Sequence, residues 1–108
     1  MGKNFDGTGV FGPAFVTADA LPPGCKGLDL TTRLNGEVVQ HALAAMVVDV
    51  ETLVSLPSEV FTLSPGDVIV TGTPSGIGMS RKRPLWMKPG DVCEVEISSL
   101  GTLRTPIT

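Results

Sequence analysis

Thr71-Gly72-Thr73-Pro74-Ser75-Gly76-Ile77-Gly78 places three hydroxyls and three glycines directly after the apolar run Asp67-Val68-Ile69-Val70. Such a segment can do chemistry of one kind. Glycine lets a ligand come close to the backbone, and Thr71, Thr73 and Ser75 can donate to an anionic oxygen. The spacing is not that of a P-loop, since no lysine follows Gly76 or Gly78, nor that of a dinucleotide fingerprint. On composition alone it reads first as an ordinary strand-ending loop.

The other chemistry-bearing residues are sparse. Glu94 and Glu96 in CEVEI would share one face of a strand. Together they could approach a hard cation, but their alternation with Cys93, Val95 and Ile97 describes an exposed strand face equally well. His41 is the one histidine of the chain. It follows a strand pattern and has no serine or aspartate in a spacing that argues for a triad. Lys3 lies in a Gly-rich opening. Arg81, Lys82 and Arg83 form the one basic cluster, which reads first as a solvated loop and second as a neighbour of an anionic small molecule.

The elements that must carry these residues are mostly strands. LDLTTRLNGEVVQHA alternates apolar and polar positions around Asn35-Gly36, a pair suited to a tight hairpin turn. Residues 49–62 read as helical, with Asp49 as N-cap and Glu51 in the first turn. Pro57 is expected to break or kink that helix. SPGDV at 64–68 recurs as KPGDV at 88–92. Pro-Gly suits a type II turn, and each turn is expected to launch a strand, over 67–71 and 91–97. A further short strand is expected over 14–17, and a last one after Gly101. No linker and no second domain are visible.

The totals restrict the function classes. The chain has 108 residues, 42% hydrophobic and 18% charged, which is globular composition for one domain. Its net charge of −3 argues against a nucleic-acid partner, whose phosphates would need neutralising. The longest apolar run, 42–48, is far too short for a membrane span. Two cysteines make no disulfide framework, so a reducing cytoplasm is the expected location.

Four segments taken together, GKNFDGTGVFGPAFVTADAL, RLNGEVVQ, FTLSPGDVIVTGTPSGIG and LWMKPGDVCEVEISSLGTLRTPI, resemble the fumarylacetoacetate hydrolase family. The resemblance runs from Lys3 to the end, in order. It is strongest to the branch of 2-hydroxyhepta-2,4-diene-1,7-dioate isomerases, related decarboxylases and acylpyruvate hydrolases. It implies an α+β, mainly β fold, a mixed β-sandwich or roll of that family's C-terminal type, with one helix near 49–60. It implies a 2-oxo acid or β-diketo acid as substrate, cleaved by C–C hydrolysis or isomerised between enol and keto forms.

The resemblance also assigns roles. Thr73, with Thr71 second and Gly72 between them, would bind the substrate carboxylate. Lys3 would act as the catalytic cation that polarises substrate oxygens or orients water. Family enzymes use Mg²⁺ or Mn²⁺, held by an E-x-E pair and a later Asp upstream of the lysine, with a His/Glu pair on a lid. Residues 1–108 carry none of these, and Glu94 and Glu96 align with the family's last strands instead. The region 42–45, Ala-Leu-Ala-Ala, also lacks the polar residues usual after the hairpin. Residues 1–108 are therefore expected to be a partial catalytic domain that holds no metal tightly by itself. Its expected assembly is a homo-oligomer or a complex with a complementing N-terminal segment. The alternative is a non-catalytic binding or scaffold unit.

Overall fold

The computed structural model describes residues 6, 7 and 9–108. Strand β1 spans Asp29–Leu34, β2 Glu37–Leu43, β3 Val92–Ile97 and β4 Gly101–Pro106; helix α1 spans Val50–Ser58. The strands form one sheet in the order β2-β1-β3-β4, and every neighbouring pair is antiparallel. The expectation of a mainly β chain with one helix near 49–60 holds, and its ladders are the antiparallel kind.

The hairpin forms where the alternation places it. Asn35 adopts φ 52 and Gly36 φ 85, so the turn twists in the sense that flanking strands need. The strands register from Asp29↔Leu43 to Leu34↔Glu37 with one interruption. Thr32 lies opposite Gln40, but Arg33 lies opposite Val38, so Val39 is an extra residue on β2. Such a bulge frees a backbone group from the ladder and bends the strand.

The two Pro-Gly turns close in the same way. Asp67 Oδ2 accepts from the Ser64 N–H at 2.7 Å, and Asp91 Oδ2 accepts from the Lys88 N–H at 2.8 Å. Their consequences differ. The second turn launches β3, as expected, but residues 67–71 form no strand. Strand structure needs a partner, and half-buried Ile69 between exposed Val68 and Val70 has none in this sheet. Residues 14–17 likewise form no strand.

Helix α1 begins where Asp49 caps it, its carboxylate accepting from the Thr52 N–H at 2.8 Å. It ends one residue beyond Pro57, which offers no N–H to Leu53. The apolar stripe is only partly covered. Val50 and Leu53 are half-buried, whereas Val54 and Leu56 face solvent.

Burial is thin throughout. Leu28, 5% exposed, is the one buried apolar residue among those described, and Thr32 the one buried polar residue. The chain exposes 8482 Å², whereas a folded monomer of its mass exposes roughly 5,700 Å². Its radius of gyration is 15.2 Å, against about 13 Å for a compact domain of this length. Phe15, Val47 and Val70 are almost wholly exposed. The sheet is well paired, but one of its faces and the loops around it lack the layer that would bury them.

Candidate functional site: a hydroxyl-bearing loop braced against a bulged strand

Loop 71–78 runs beside β2, and the bulge at Val39 explains how it is held. The Val39 carbonyl accepts from Arg81 Nη2, and Arg81 Nε donates to Gly76 O at 3.2 Å. Arg81 thus joins the loop to the strand by charge-assisted bonds to two backbone carbonyls. Gly76 fits because it has no side chain. It sits at φ 96, and a Cβ there would lie 3.3 Å from Val39 O and 3.4 Å from Gln40 Cγ.

Gln40 makes the second attachment. Its Nε2 lies 3.1 Å from Pro74 O, 3.2 Å from Ser75 O and 3.4 Å from Thr73 Oγ1, so its two protons are shared among three acceptors. One side chain therefore reaches three consecutive residues of the loop. Of the residues expected to bind a substrate carboxylate, Thr73 is thereby tied to the sheet through a strand about thirty positions earlier in sequence, while Thr71 and Gly72 lie just ahead of these contacts.

Thr71, Gly72, Thr73 and Pro74 form one wall of a cavity of ≈ 590 Å³. Leu28, Leu30, Ile97 and Leu100 line it from the sheet side, the 42–48 segment forms another wall, and Val50 and Leu53 of α1 close it. None of its lining side chains is charged. The two threonine hydroxyls and the Cys25 thiol are its side-chain polar groups. Apolar walls with a few polar groups at one side are the usual makeup of a small-molecule site.

The remaining candidates separate cleanly. Lys3 lies outside the described residues. Glu96 forms an ion pair with Arg33 at 2.6 Å and Glu94 one with Arg104 at 3.4 Å. Arg33 is opposite Glu94 in register and reaches diagonally to Glu96, a normal cross-strand arrangement. Both carboxylates are thus engaged on the sheet, away from the cavity lining. His41 Nε2 lies 3.1 Å from Asp29 Oδ1 on the exposed edge strand, as a surface histidine would. No group of three or more His, Cys, Asp or Glu side chains converges among the described residues. They therefore do not fit Mg²⁺ or Mn²⁺, which need several oxygen ligands around one point.

Arg81 corrects the reading of the basic cluster. It serves two backbone carbonyls, so the cluster offers an anion only the exposed Lys82 and Arg83. Sequence reasoning missed both braces. The signal was Gln40 itself, a polar residue between Val39 and the strand end, in a stretch where the alternation breaks.

The family model for the fumarylacetoacetate hydrolase C-terminal region matches residues 1–108. The chain belongs to the fumarylacetoacetate hydrolase family. A mitochondrial oxaloacetate tautomerase of Xenopus laevis is 42% identical over 108 residues, 99% of this chain and 34% of that protein. Among solved structures, a fumarylacetoacetate hydrolase from psychrophilic Exiguobacterium antarcticum superposes with a TM-score of 0.85 at 40% identity, over 91% of this chain and 35% of its own. A 2-hydroxyhepta-2,4-diene-1,7-dioate isomerase from Mycobacterium marinum superposes at 0.66 and 43% identity, over 75% of this chain and 30% of its own. The chain spans about a third of the length of these family members. As in the first expectation, the fold is that of the family's C-terminal part. No described helix is long and apolar enough to cross a membrane.

Proposed function

We propose that the chain supplies the substrate-carboxylate end of a hydrolase or isomerase acting on 2-oxo acids or β-diketo acids. One observation carries this reading: Thr71 and Thr73 present hydroxyls on a braced loop at the polar side of an otherwise apolar cavity. The hydroxyls donate to the carboxylate of the substrate, and the apolar walls seat its other end. Relatives whose names describe a tautomerase, a hydrolase and an isomerase fit one shared step. That step forms an enolate. In tautomerisation and isomerisation a proton leaves the carbon beside a carbonyl. In hydrolysis water adds to one carbonyl and the adjoining C–C bond breaks. In each case the freed electron pair moves onto the remaining carbonyl oxygen. Fixed donors lower the energy of the oxygen anion that forms.

Lys3 is proposed as the cation that polarises that oxygen, on the strength of the resemblance. The divalent metal of the family belongs, in this reading, with residues outside the described set, and no step is assigned to it here. A reducing compartment suits the two free cysteines. We take the cytoplasm as that compartment, although the Xenopus relative is named mitochondrial.

The assembly we propose is a homo-oligomer or a complex with a complementing N-terminal segment. The exposed area exceeds that of a compact monomer by roughly 2,800 Å², the scale of an obligate interface. The same excess favours a second reading, a scaffold unit without chemistry. Kinetics separate the two. The chain joined to the upstream portion of a relative should interconvert the enol and keto forms of oxaloacetate or cleave an acylpyruvate. Lys3→Met should lower turnover, and Thr73→Val should mainly raise KM. Absence of turnover in the joined protein, with its fold intact, would leave the scaffold reading.

A further inference from the structure

We propose that Gln40 is a positioning residue that sets the hydrogen-bond polarity of Thr73 and thereby makes the loop selective for an anion. The inference rests on the reading that Thr73 receives a carboxylate. Its basis is the set of three contacts made by one nitrogen.

Pro74 O and Ser75 O are carbonyls and can only accept. The group of Gln40 that meets them at 3.1 and 3.2 Å must therefore be the NH₂ end. The orientation of the amide is thus decided by chemistry. The same nitrogen lies 3.4 Å from Thr73 Oγ1; an amide nitrogen cannot accept from a hydroxyl, so that oxygen takes the longest arm of two protons shared among three acceptors. A hydroxyl that accepts on that side still has its own proton to give. Thr73 is held as a donor toward the cavity that it lines. A hydroxyl free to rotate would have to choose this state on each binding event.

Glutamate has the same shape but the opposite hydrogen-bonding capacity. At position 40 it would accept from Thr73 and draw the hydroxyl proton away from the cavity. It would also set a negative charge beside the bound carboxylate and against two carbonyl oxygens. The loss should therefore depend on the charge of the ligand, which a purely structural brace would not produce.

The test uses the 108-residue chain and two probes, acetopyruvate and its methyl ester, titrated by NMR. Amide signals of β3 and β4 report that each variant is folded. Thr73→Val should weaken acetopyruvate by about tenfold to a hundredfold. Gln40→Glu should lower the ratio of acid to ester affinity by about tenfold or more. Adding Thr73→Val to Gln40→Glu should cost little more, because one interaction is lost twice. Should Gln40→Glu unfold the chain, Gln40→Met removes the donor without adding charge and should lower the ratio by about fivefold. If Thr73→Val weakens the acid but the Gln40 variants leave the ratio unchanged, the role assigned to Gln40 is wrong and the site stands. If Thr73→Val binds as wild type does, or wild type binds neither probe, the carboxylate reading itself fails and Gln40 loses its role with it.

Discussion

Asn35 and Asp91 tie the tip of the β1–β2 hairpin to the start of β3. Asn35 Nδ2 donates to Asp91 Oδ1 at 2.9 Å, while Asn35 Oδ1 accepts from the Val92 N–H at 2.9 Å. The Asn35 N–H also donates to Val92 O at 2.9 Å. A turn residue chosen for its positive φ thus also aligns the central strand pair. Asp91 in turn closes its own Pro-Gly turn through Lys88.

These bonds give a pH prediction. The Asn35 side chain, then the Lys88 N–H, hold the Asp91 carboxyl below its ordinary value of 3.8. A lowered folded value means that the carboxylate stabilises the fold above the unfolded value. That contribution disappears as pH falls through the folded value. Denaturant titrations should show Asp91→Ala less stable than wild type at pH 7, with the gap closing in acid below 3.8. A gap that stays constant into strong acid would show that the carboxylate charge is not involved.

The Gly76 backbone should be intolerant. An alanine there meets Val39 O and Gln40 Cγ and must hold φ near 96. Strain of that kind costs about 1–3 kcal/mol. Gly76→Ala should lower the melting temperature and raise amide exchange across 71–78 more than across β3. Uniform exchange across the chain would show that the loop is not separately anchored.

The hairpin, the capped helix and the final strand pair were legible in the sequence because each is specified locally. Asn35-Gly36, Asp49 and the two Pro-Gly-Asp turns carry their own geometry. Residues 67–71 were misread for the complementary reason. Their β-type composition is real, but a strand is a relation to a partner, and half-buried Ile69 with exposed Val68 and Val70 meets none in this sheet. The site was partly legible. Thr71 and Thr73 stood out by their loop chemistry, while Gln40 and Arg81 work through a bulge whose position depends on pairing between strands. Neither a propensity nor a motif encodes that bulge.

Cys93 should be the sluggish thiol. Burial, then the neighbouring Glu94 charge, push its pKa above the ordinary 9.0. Its thiolate fraction at pH 8 to 9 is accordingly smaller than that of a free cysteine. Iodoacetamide labelling followed by peptide mass spectrometry should find Cys93 slower than a cysteine-containing model peptide at the same pH. Labelling at the peptide rate would contradict its partly buried place on β3.

The uncovered apolar surface should make the chain self-associate or seek its complement. Sedimentation should show a dimer or larger species, and Val47→Asp with Val70→Asp should shift the distribution toward monomer. A compact monomer at high concentration, unchanged by those substitutions, would count against the assembly proposed above.

The central claim is that the loop at Thr71 and Thr73 receives the carboxylate of a 2-oxo acid. The most direct measurement is NMR shift mapping of acetopyruvate on the intact chain. The account predicts the largest saturable amide shifts at Thr71, Gly72 and Thr73, with smaller ones at Gln40 and along the cavity wall, and their loss in Thr73→Val. Shifts centred on Lys82 and Arg83, or equally strong in Thr73→Val, would contradict it.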